Sequence, residues 1–387
     1  MPDMRRVTVM IDLDWPLSHH FHIFAGIHRY ARECGNWQCL TNPHADQTRT
    51  RKRLSSTTDG VIARATPELV KRARSARVPL VNVWLNTSVR GIPSVLHDAE
   101  ESGRMAARHL LAHGFRRFGY LGYLRDRCAR LQLSGFRATL REAGCDCSPC
   151  WILRSFSRTG ANWLRFQAAI EEWIGAWSPP VAILTISDLS GRYLIEACQH
   201  RGLDVPSDVA VLSSFNETII CENPEPSLSS IDFGFTTVGY RAAQLLDQLM
   251  EGAPRPAEPI RVAPANVVVR RSTNAFAADD PLVSSALRYI AENVGTAFSV
   301  DDVALHAGVT RRTLARLFQK SLGKTIHETI THMRLDRVKR ELIDTTSTLK
   351  KIAKSCGFRD AILLCKFFQR EERMTPSEFR KSRRPTL

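Results

Sequence analysis

From residue 5 to about residue 270, short β-branched runs alternate with amphipathic stretches of about ten to fifteen residues, a rhythm that few folds can satisfy. VTVMIDL (7–13) precedes HHFHIFAGIHRYARECG, DGVIARA (59–65) precedes PELVKRARSARV, and PLVNVW (79–84) precedes HDAEESGRMAARHLLAHG. RRFGYLGY precedes LQLSGFRATLREAG, VAILTIS precedes DLSGRYLIEACQHRG, and DVAVLSSF leads through a loop into TTVGYRAAQLLDQLMEG. Strands that are apolar along their whole length and separated by helices predict parallel sheets covered on both faces. More than 250 residues of this pattern exceed one comfortable core, so two α/β lobes are expected.

The rhythm stops after NVVVRRST (266–273), read as the last strand. NAFAADDPLVSS follows and carries an Asp-Asp-Pro helix-start signal, which places a linker at 274–283 between an α/β domain at 1–273 and an all-helical domain at 284–387. Pro281 is expected in the first turn of a helix whose Ala286, Leu287, Ile290 and Ala291 share one face. Charge is uneven as well. The chain carries 54 Lys+Arg against 39 Asp+Glu, a net +15, and from Pro281 onward there are 21 against 11, so +10 lies in the final quarter. A polyanionic partner for that quarter follows.

Within it, two stretches repeat one logic. SVDDVALHAGVTRRTLARLFQKSLGKT (299–325) and STLKKIAKSCGFRDAILLCKFFQREERMTPSEFR (347–380) each join a short helix, a Gly-centred turn and a second helix opened by a polar cap. Helix-turn-helix units are therefore expected at about 299–320 and 347–370. In the first, Ser299 and Asp302 form a capping pair, Gly308 takes the turn, Thr310 caps the second helix, and Leu314, Leu317 and Phe318 face inward. Arg311, Arg312, Ala315, Arg316 and Gln319 then point outward. Arg312 and Arg316, one turn apart, are the first candidates for base reading, because a guanidinium can pair with guanine through two hydrogen bonds in the major groove. A basic face that touches only phosphate is the alternative. In the second unit the outward residues are Ala361, Ile362, Cys365 and Lys366, with Gln369 and Arg370 beyond. They suit thymine methyls and phosphates more than base-edge hydrogen bonds, so weaker discrimination is expected. Residues 328–343 read as a connecting scaffold helix burying Ile330, Met333, Leu335, Val338 and Leu342. The tail Arg380, Lys381, Arg383, Arg384 reads as a phosphate-touching or solvated segment.

In open parallel sheets the ligand crevice lies beyond the carboxyl ends of the strands. The residues there are Asp14 with His19 and His20, Asn86, Asp98, Ser187 with Asp188, and Asn216 with Glu217, and each could equally cap the following helix. Trp15 and Trp84 could stack on a ring or belong to the core. No Gly-x-Gly-x-x-Gly opens a helix after the first strand, and there is no Gly-Lys-Ser/Thr, no Gly-x-Ser-x-Gly and no metal-spaced His pair, so an enzyme lacks its parts. His19, His20 and His22 are the one tempting group. Cys145, Cys147 and Cys150 lack an adjacent fourth ligand and read as an exposed loop after a helix, so no cofactor or metal is expected. The first residues are too acidic and the apolar run too short for a secretory segment, and no run approaches a membrane span, so a cytoplasmic protein is expected, with thiols rather than disulfides.

Ile352-Ala353, Gly357-Phe358, Phe367-Phe368-Gln369 and Thr375-Pro-x-x-Phe-Arg380 resemble the AraC/XylS family of bacterial transcription regulators, with Leu364 where an aromatic is usual and Arg373 where Gly is frequent. The front segment resembles the periplasmic-binding-protein-like core of lac-repressor-type proteins. The combination is similar to that of regulators of the xylose-operon type, through DGVIA (59–63), VPLV (78–81), Asp188, VGYRAAQLL (238–246), RRST (270–273), DPLVSSAL and TIHETI (325–330). The resemblance implies a two-lobed α/β periplasmic-binding-protein-like domain for effector binding and dimerisation, followed by an all-α domain with two helix-turn-helix units. It implies an activator of sugar uptake or catabolism genes, gated by a monosaccharide-like effector and acting as a homodimer on double-stranded promoter DNA with RNA polymerase. Asp14, His19, Asp98, Gln132, Asp188, Phe215 and Asn216 fall at the ligand positions. Gln132 stands where such proteins commonly place Arg, and Phe215 where they place Asp. Two charge-assisted bonds of about 1.5–3 kcal/mol each are thereby lost, and an effector other than xylose is expected. The other reading is a DNA-binding regulator whose front domain only dimerises.

Overall fold

The computed structural model describes residues 4–13, 18–47, 58–274, 280–296, 298–345 and 347–383. Asp14, Trp15, the linker residues 275–279 and Arg384 lie outside them. The front of the chain runs β1 (Arg5–Met10), α1 (His19–Cys34), β2 (Trp37–Thr41), β3 (Gly60–Ala63), α2 (Pro67–Ala76), β4 (Leu80–Asn82), β5 (Val95–His97), α3 (Ala99–Ala112), β6 (Phe118–Tyr123) and α4 (Arg127–Glu142). It continues through β7 (Cys147–Ile152), α5 (Gly160–Gly175), β8 (Val181–Thr185), α6 (Asp188–His200), β9 (Val209–Ser214), α7 (Thr218–Glu222), β10 (Ser229–Asp232), α8 (Phe235–Met250), β11 (Ile260–Val262) and β12 (Asn266–Val268). Seven helices complete it: α9 (Pro281–Asn293), α10 (Val300–His306), α11 (Arg311–Leu322), α12 (Ile326–Asp344), α13 (Leu349–Ser355), α14 (Ala361–Glu372) and α15 (Pro376–Arg383).

The chain forms two compact units. The first comprises 1–102, 125–132 and 232–265, and holds a parallel sheet in the order β2-β1-β3-β4 and the parallel pair β11-β5. β3 and β4 are buried along their whole length, because helices cover both faces. α1 and α8 approach each other closely in this unit. A Cβ at Gly239 would lie 1.9 Å from the Ile23 carbonyl oxygen and one at Gly26 would lie 2.0 Å from that of Thr236, so only glycine fits at either contact.

The second unit comprises 103–124, 133–231 and 266–387. Its sheet has the order β12-β10-β9-β8-β6-β7, with β10, β9, β8, β6 and β7 parallel to their neighbours. β7 corrects one expectation. CDCSPC is not an exposed loop: Cys147–Ile152 pairs with β6 at the sheet edge, burying Cys147 and Cys150. An edge strand tolerates Pro149, whose nitrogen has no hydrogen to donate. NVVVRRST is also shorter as a strand than expected. After Val268 the chain turns into a 3-10 segment, Arg271–Thr273, where Ser272 Oγ donates to the Val211 carbonyl at 2.6 Å and Thr273 Oγ1 to Ser229 Oγ at 2.7 Å. Hydroxyls that can bond within the core replace the ladder there.

The helical part is built on two cores. Val283, Ala286, Leu287 and Ile290 of α9 pack with Val303, Leu314, Phe318 and Ile330 in one, and Leu335, Val338 and Leu342 of α12 pack with Ile352, Leu364, Phe368 and Phe379 in the other. α12 contributes to both, which is the scaffold role its apolar spacing suggests. Asp280 caps α9 through the Leu282 N–H at 2.9 Å, with Pro281 in the first turn.

Candidate functional site

α11 starts where Thr310 Oγ1 accepts the Thr313 N–H at 3.2 Å and ends at Gly323 in the left-handed region. With Leu314, Phe318 and Leu322 in the core, a 3.6-residue period turns Arg311, Arg312, Ala315, Arg316 and Gln319 outward, and all five are exposed. Arg311 has a loose pairing with Asp301 at 3.9 Å, whereas Arg312 and Arg316 have no acidic partner among the described residues. The preceding α10 is held by the expected capping box, with Ser299 Oγ accepting the Asp302 N–H at 3.2 Å and the Asp302 carboxylate accepting the Ser299 N–H at 2.7 Å.

α14 starts at Asp360, whose Oδ1 accepts the Leu363 N–H at 2.9 Å. Leu364 and Phe368 face inward, Ala361 and Cys365 are half-buried, and Ile362 and Lys366 are exposed, Ile362 to 68%. Leu363, 41% exposed, joins Ala361, Ile362 and Cys365 in a mainly apolar outer surface. Arg373 closes this helix at φ 56°, in the left-handed region that favours glycine. Arg380 is not part of a solvated tail. It lies on α15, where its Nε donates to the Leu342 carbonyl at 3.2 Å and its Nη2 to that of Ser347 at 2.7 Å, satisfying oxygens at and beyond the end of α12.

In each sheet the topological switch falls at a definite strand pair. In the first unit it lies between β1 and β3. Just beyond β1, His20 Nδ1 sits 2.5 Å from the Asp12 carbonyl oxygen, and the half-buried His19 ring lies 5.2 Å from Phe235. Asp98 accepts the Glu101 N–H at 3.0 Å, the helix-capping role that was its alternative. Its neighbour His97 is buried 3.4 Å from Cys128 Sγ, and burial pushes its pKa down to about 4, which favours the neutral ring at neutral pH. Gln132 is also buried, its Nε2 donating to Ser102 Oγ at 3.0 Å. Asn86 bridges to Asp126 at 3.1 Å and accepts the Arg127 N–H at 2.9 Å. Arg64 stacks over Trp84 at 4.7 Å.

In the second unit the switch lies between β6 and β8, where Tyr123 and Ser187 are hydrogen-bonded at 2.7 Å. Ser187 caps α6, and Asp188 beside it is 1% exposed. Both its carboxylate oxygens are engaged: Oδ1 accepts from the Ser213 hydroxyl and from Ser230 at 2.6 Å, and Oδ2 accepts the Glu217 N–H at 2.8 Å. Burial nevertheless outweighs these bonds and lifts its pKa to about 6. Phe215 and Asn216 both have positive φ, 95° and 56°, a costly pair for residues with side chains. Asn216 is clamped by the Arg270 guanidinium at 2.9 Å and donates its N–H to Ser230 Oγ at 2.9 Å. Ser213, Ser230, Arg270 and Tyr123 were missed by the sequence reading. Ser213 offered a faint signal, as a hydroxyl at the end of the otherwise apolar β9 run, whereas Ser230 sits in the mostly polar β10 and offered none. Among the described residues no group of His, Cys, Asp and Glu is placed to hold a metal, and no helix is long and apolar enough to cross a membrane.

An α/β domain with polar strand ends, followed by a helical domain presenting one strongly basic helix, α11, and a second, more apolar one, α14, defines a ligand-responsive DNA-binding protein. Comparison with known proteins agrees. Residues 107–273 match the family model of a periplasmic binding protein-like domain and residues 303–382 that of a helix-turn-helix domain. The chain is 28% identical to the xylose operon regulatory protein of Haemophilus influenzae over 288 residues, 74% of each chain, and 28% identical to that of Escherichia coli K12 over 330 residues, 83% of each. The solved structure of the xylose-binding transcription activator xylR is similar in fold, with a TM-score of 0.61 at 24% identity, covering 99% of this chain and 100% of that one. The chain is thus similar over most of its length to the xylose operon regulators, with a periplasmic-binding-protein-like domain ahead of an AraC-type helix-turn-helix domain, and the comparisons support a DNA-binding, sugar-responsive transcription regulator.

Proposed function

We propose that this regulator is a cytoplasmic, homodimeric activator whose front domain binds a small polyhydroxylated effector and whose α11 reads promoter DNA, recruiting RNA polymerase. The observation that carries the DNA reading is the free guanidinium pair of Arg312 and Arg316 on the outer face of a helix whose inner face is locked in a core. Arg312→Ala or Arg316→Ala is expected to cost about 1–3 kcal/mol on the cognate site and to relax discrimination at one base pair. Fluorescence anisotropy on cognate and scrambled duplexes checks this, and equal losses on both would make that residue a phosphate contact. Lys366→Ala, on the chemically poorer second helix, should weaken all sequences alike and flatten the salt dependence.

The effector reading is supported by the polar groups gathered in each unit: His19, Asp98 and, on α4, Gln132 in one, and Asp188 and Asn216, with Phe215 beside it, in the other. Asp188, Gln132 and Asp98 already have internal partners, so they would position neighbours or exchange bonds on binding. Asn216, Arg270, His19 and Trp84 are half-buried, as Asp98 is, whereas Asp188 and Gln132 are closed off from solvent, so a ligand would meet the half-buried set first. A thermal-shift screen of pentoses, hexoses and sugar acids tests it. A specific ligand at about 100 times its dissociation constant adds about 2.7 kcal/mol, while no shift with any of them would sink the proposal. Effector and DNA affinity can be linked only through a state that both prefer. One contact suited to that link is Arg116, just before β6, whose Nε donates to the Ser321 carbonyl in the last turn of α11 at 3.1 Å.

With boundaries at 273 and 284, the fragment 280–387 is expected to fold and bind DNA without effector response. Circular dichroism and anisotropy would show it, and an unfolded fragment would move the boundary upstream.

A further inference from the structure

A cavity of about 320 Å³ lies between the two helix-turn-helix units, at the low end of small-molecule pockets. Phe298, Phe358 and Phe367 line it with aromatic surface, and Arg334, Arg370, His327, Thr331 and Ser299 supply its polar groups. Arg334 is the unusual member. It lies on α12 with its guanidinium 5.1 Å from the centre of the Phe298 ring, its Nη2 donates to the Thr296 carbonyl at 3.3 Å, and its buried Nε has no hydrogen-bond partner. No carboxylate among the described residues pairs with it, although its partial burial disfavours the charge. By contrast Arg370, 5.7 Å from the Phe367 ring centre, is already paired with Glu371 at 2.7 Å.

A half-buried cation with an unsatisfied N–H, walled by three phenylalanines, calls for an anion with a flat apolar body. We propose that this cavity is a ligand site, separate from the effector site of the front domain, that takes a small aryl carboxylate: the ring between the phenylalanines, the carboxylate on Arg334. A DNA phosphate would satisfy the guanidinium but would leave the aromatic walls empty. Phe367 and Arg370 belong to α14, so an anion held here stands beside the second DNA-facing helix. Occupancy therefore weakens DNA binding.

Cinnamate is a suitable probe, with cinnamyl alcohol as its uncharged counterpart. Calorimetry on the full chain should show cinnamate binding, with the alcohol and the Arg334→Gln variant each weaker by about tenfold or more. Saturating cinnamate should lower cognate-DNA affinity by about fivefold or more at matched ionic strength. Thr331→Phe, which fills the cavity without removing the cation, should abolish cinnamate binding and the DNA effect while leaving DNA binding without cinnamate intact, and it serves should Arg334→Gln fail to fold. Equal binding of acid and alcohol, or unchanged binding in both variants, would overturn the proposal. So would a chain that never binds cinnamate but loses affinity for every DNA sequence in Arg334→Gln, since Arg334 would then be a phosphate contact.

Discussion

Phe368→Ala is expected to destabilise the helical domain by about 3–5 kcal/mol, while Phe367→Ala, on the adjoining position of the same helix, costs much less. Phe368 is fully buried, with its ring 5.3 Å from that of Phe379 on α15 and Leu364, Ile352 and Val338 in the same core. Truncation leaves a cavity that α14 cannot close, because Asp360 holds its start and Arg373 its end in fixed geometry. Phe367 is only half-buried against Phe358 and the Arg370 guanidinium, so much of its surface already meets water. Urea unfolding of both variants, read by DNA binding and circular dichroism, separates the two cases. Comparable losses would mean that the second core is not the unit that positions α14.

The second large effect is electrostatic and lies at Asp188. Its pKa in the fold, about 6, stands above the ordinary value of 3.8, so between these values the folded state holds a proton that the unfolded chain has released. Stability contributed by this residue is therefore fully present below about pH 4 and is lost as pH rises through about 6, a change on the order of 3 kcal/mol. The cause is burial, which the bonds from Ser213, Ser230 and the Glu217 N–H offset only in part. Asp188→Asn should abolish this component. Because the Asn amide cannot accept at both positions, the variant should be less stable than the parent at pH 4 by about 1–3 kcal/mol and nearer to it at pH 7. Urea midpoints at the two pH values decide. A parent that gains stability over the variant as pH rises would show that the hydrogen bonds, not desolvation, control this carboxyl.

Much of this was legible in the residues themselves. Ser299, Thr310 and Asp360 were identified as caps, and each accepts the expected backbone N–H. The exposure of Arg312 and Arg316 follows from helical period alone once Leu314 and Phe318 are assigned to the core. The misses have physical causes too. β7 contains two cysteines and a proline and lacks a β-branched run, so only its pairing with β6 makes it a strand. α5 begins at Thr159-Gly160 without a strong apolar start and was not recognised, although Phe166, Ile170 and Trp173 are buried along it. Arg380 looked like tail charge because nothing local foretells the carbonyls 33 and 38 residues away that it satisfies.

The sequence by itself determined the class of each domain, the caps and turns of both helix-turn-helix units and the outward set on α11, because these depend on periods of two and 3.6 residues and on groups within four positions of one another. Tertiary structure alone decided that Asp188 is enclosed by hydroxyls from two strands, that Arg270 clamps Asn216, and that a cavity with an unsatisfied arginine opens between the two helix-turn-helix units. Those facts depend on which distant segments share a burial site and on how much water each polar group loses there. Local spacing carries no record of either.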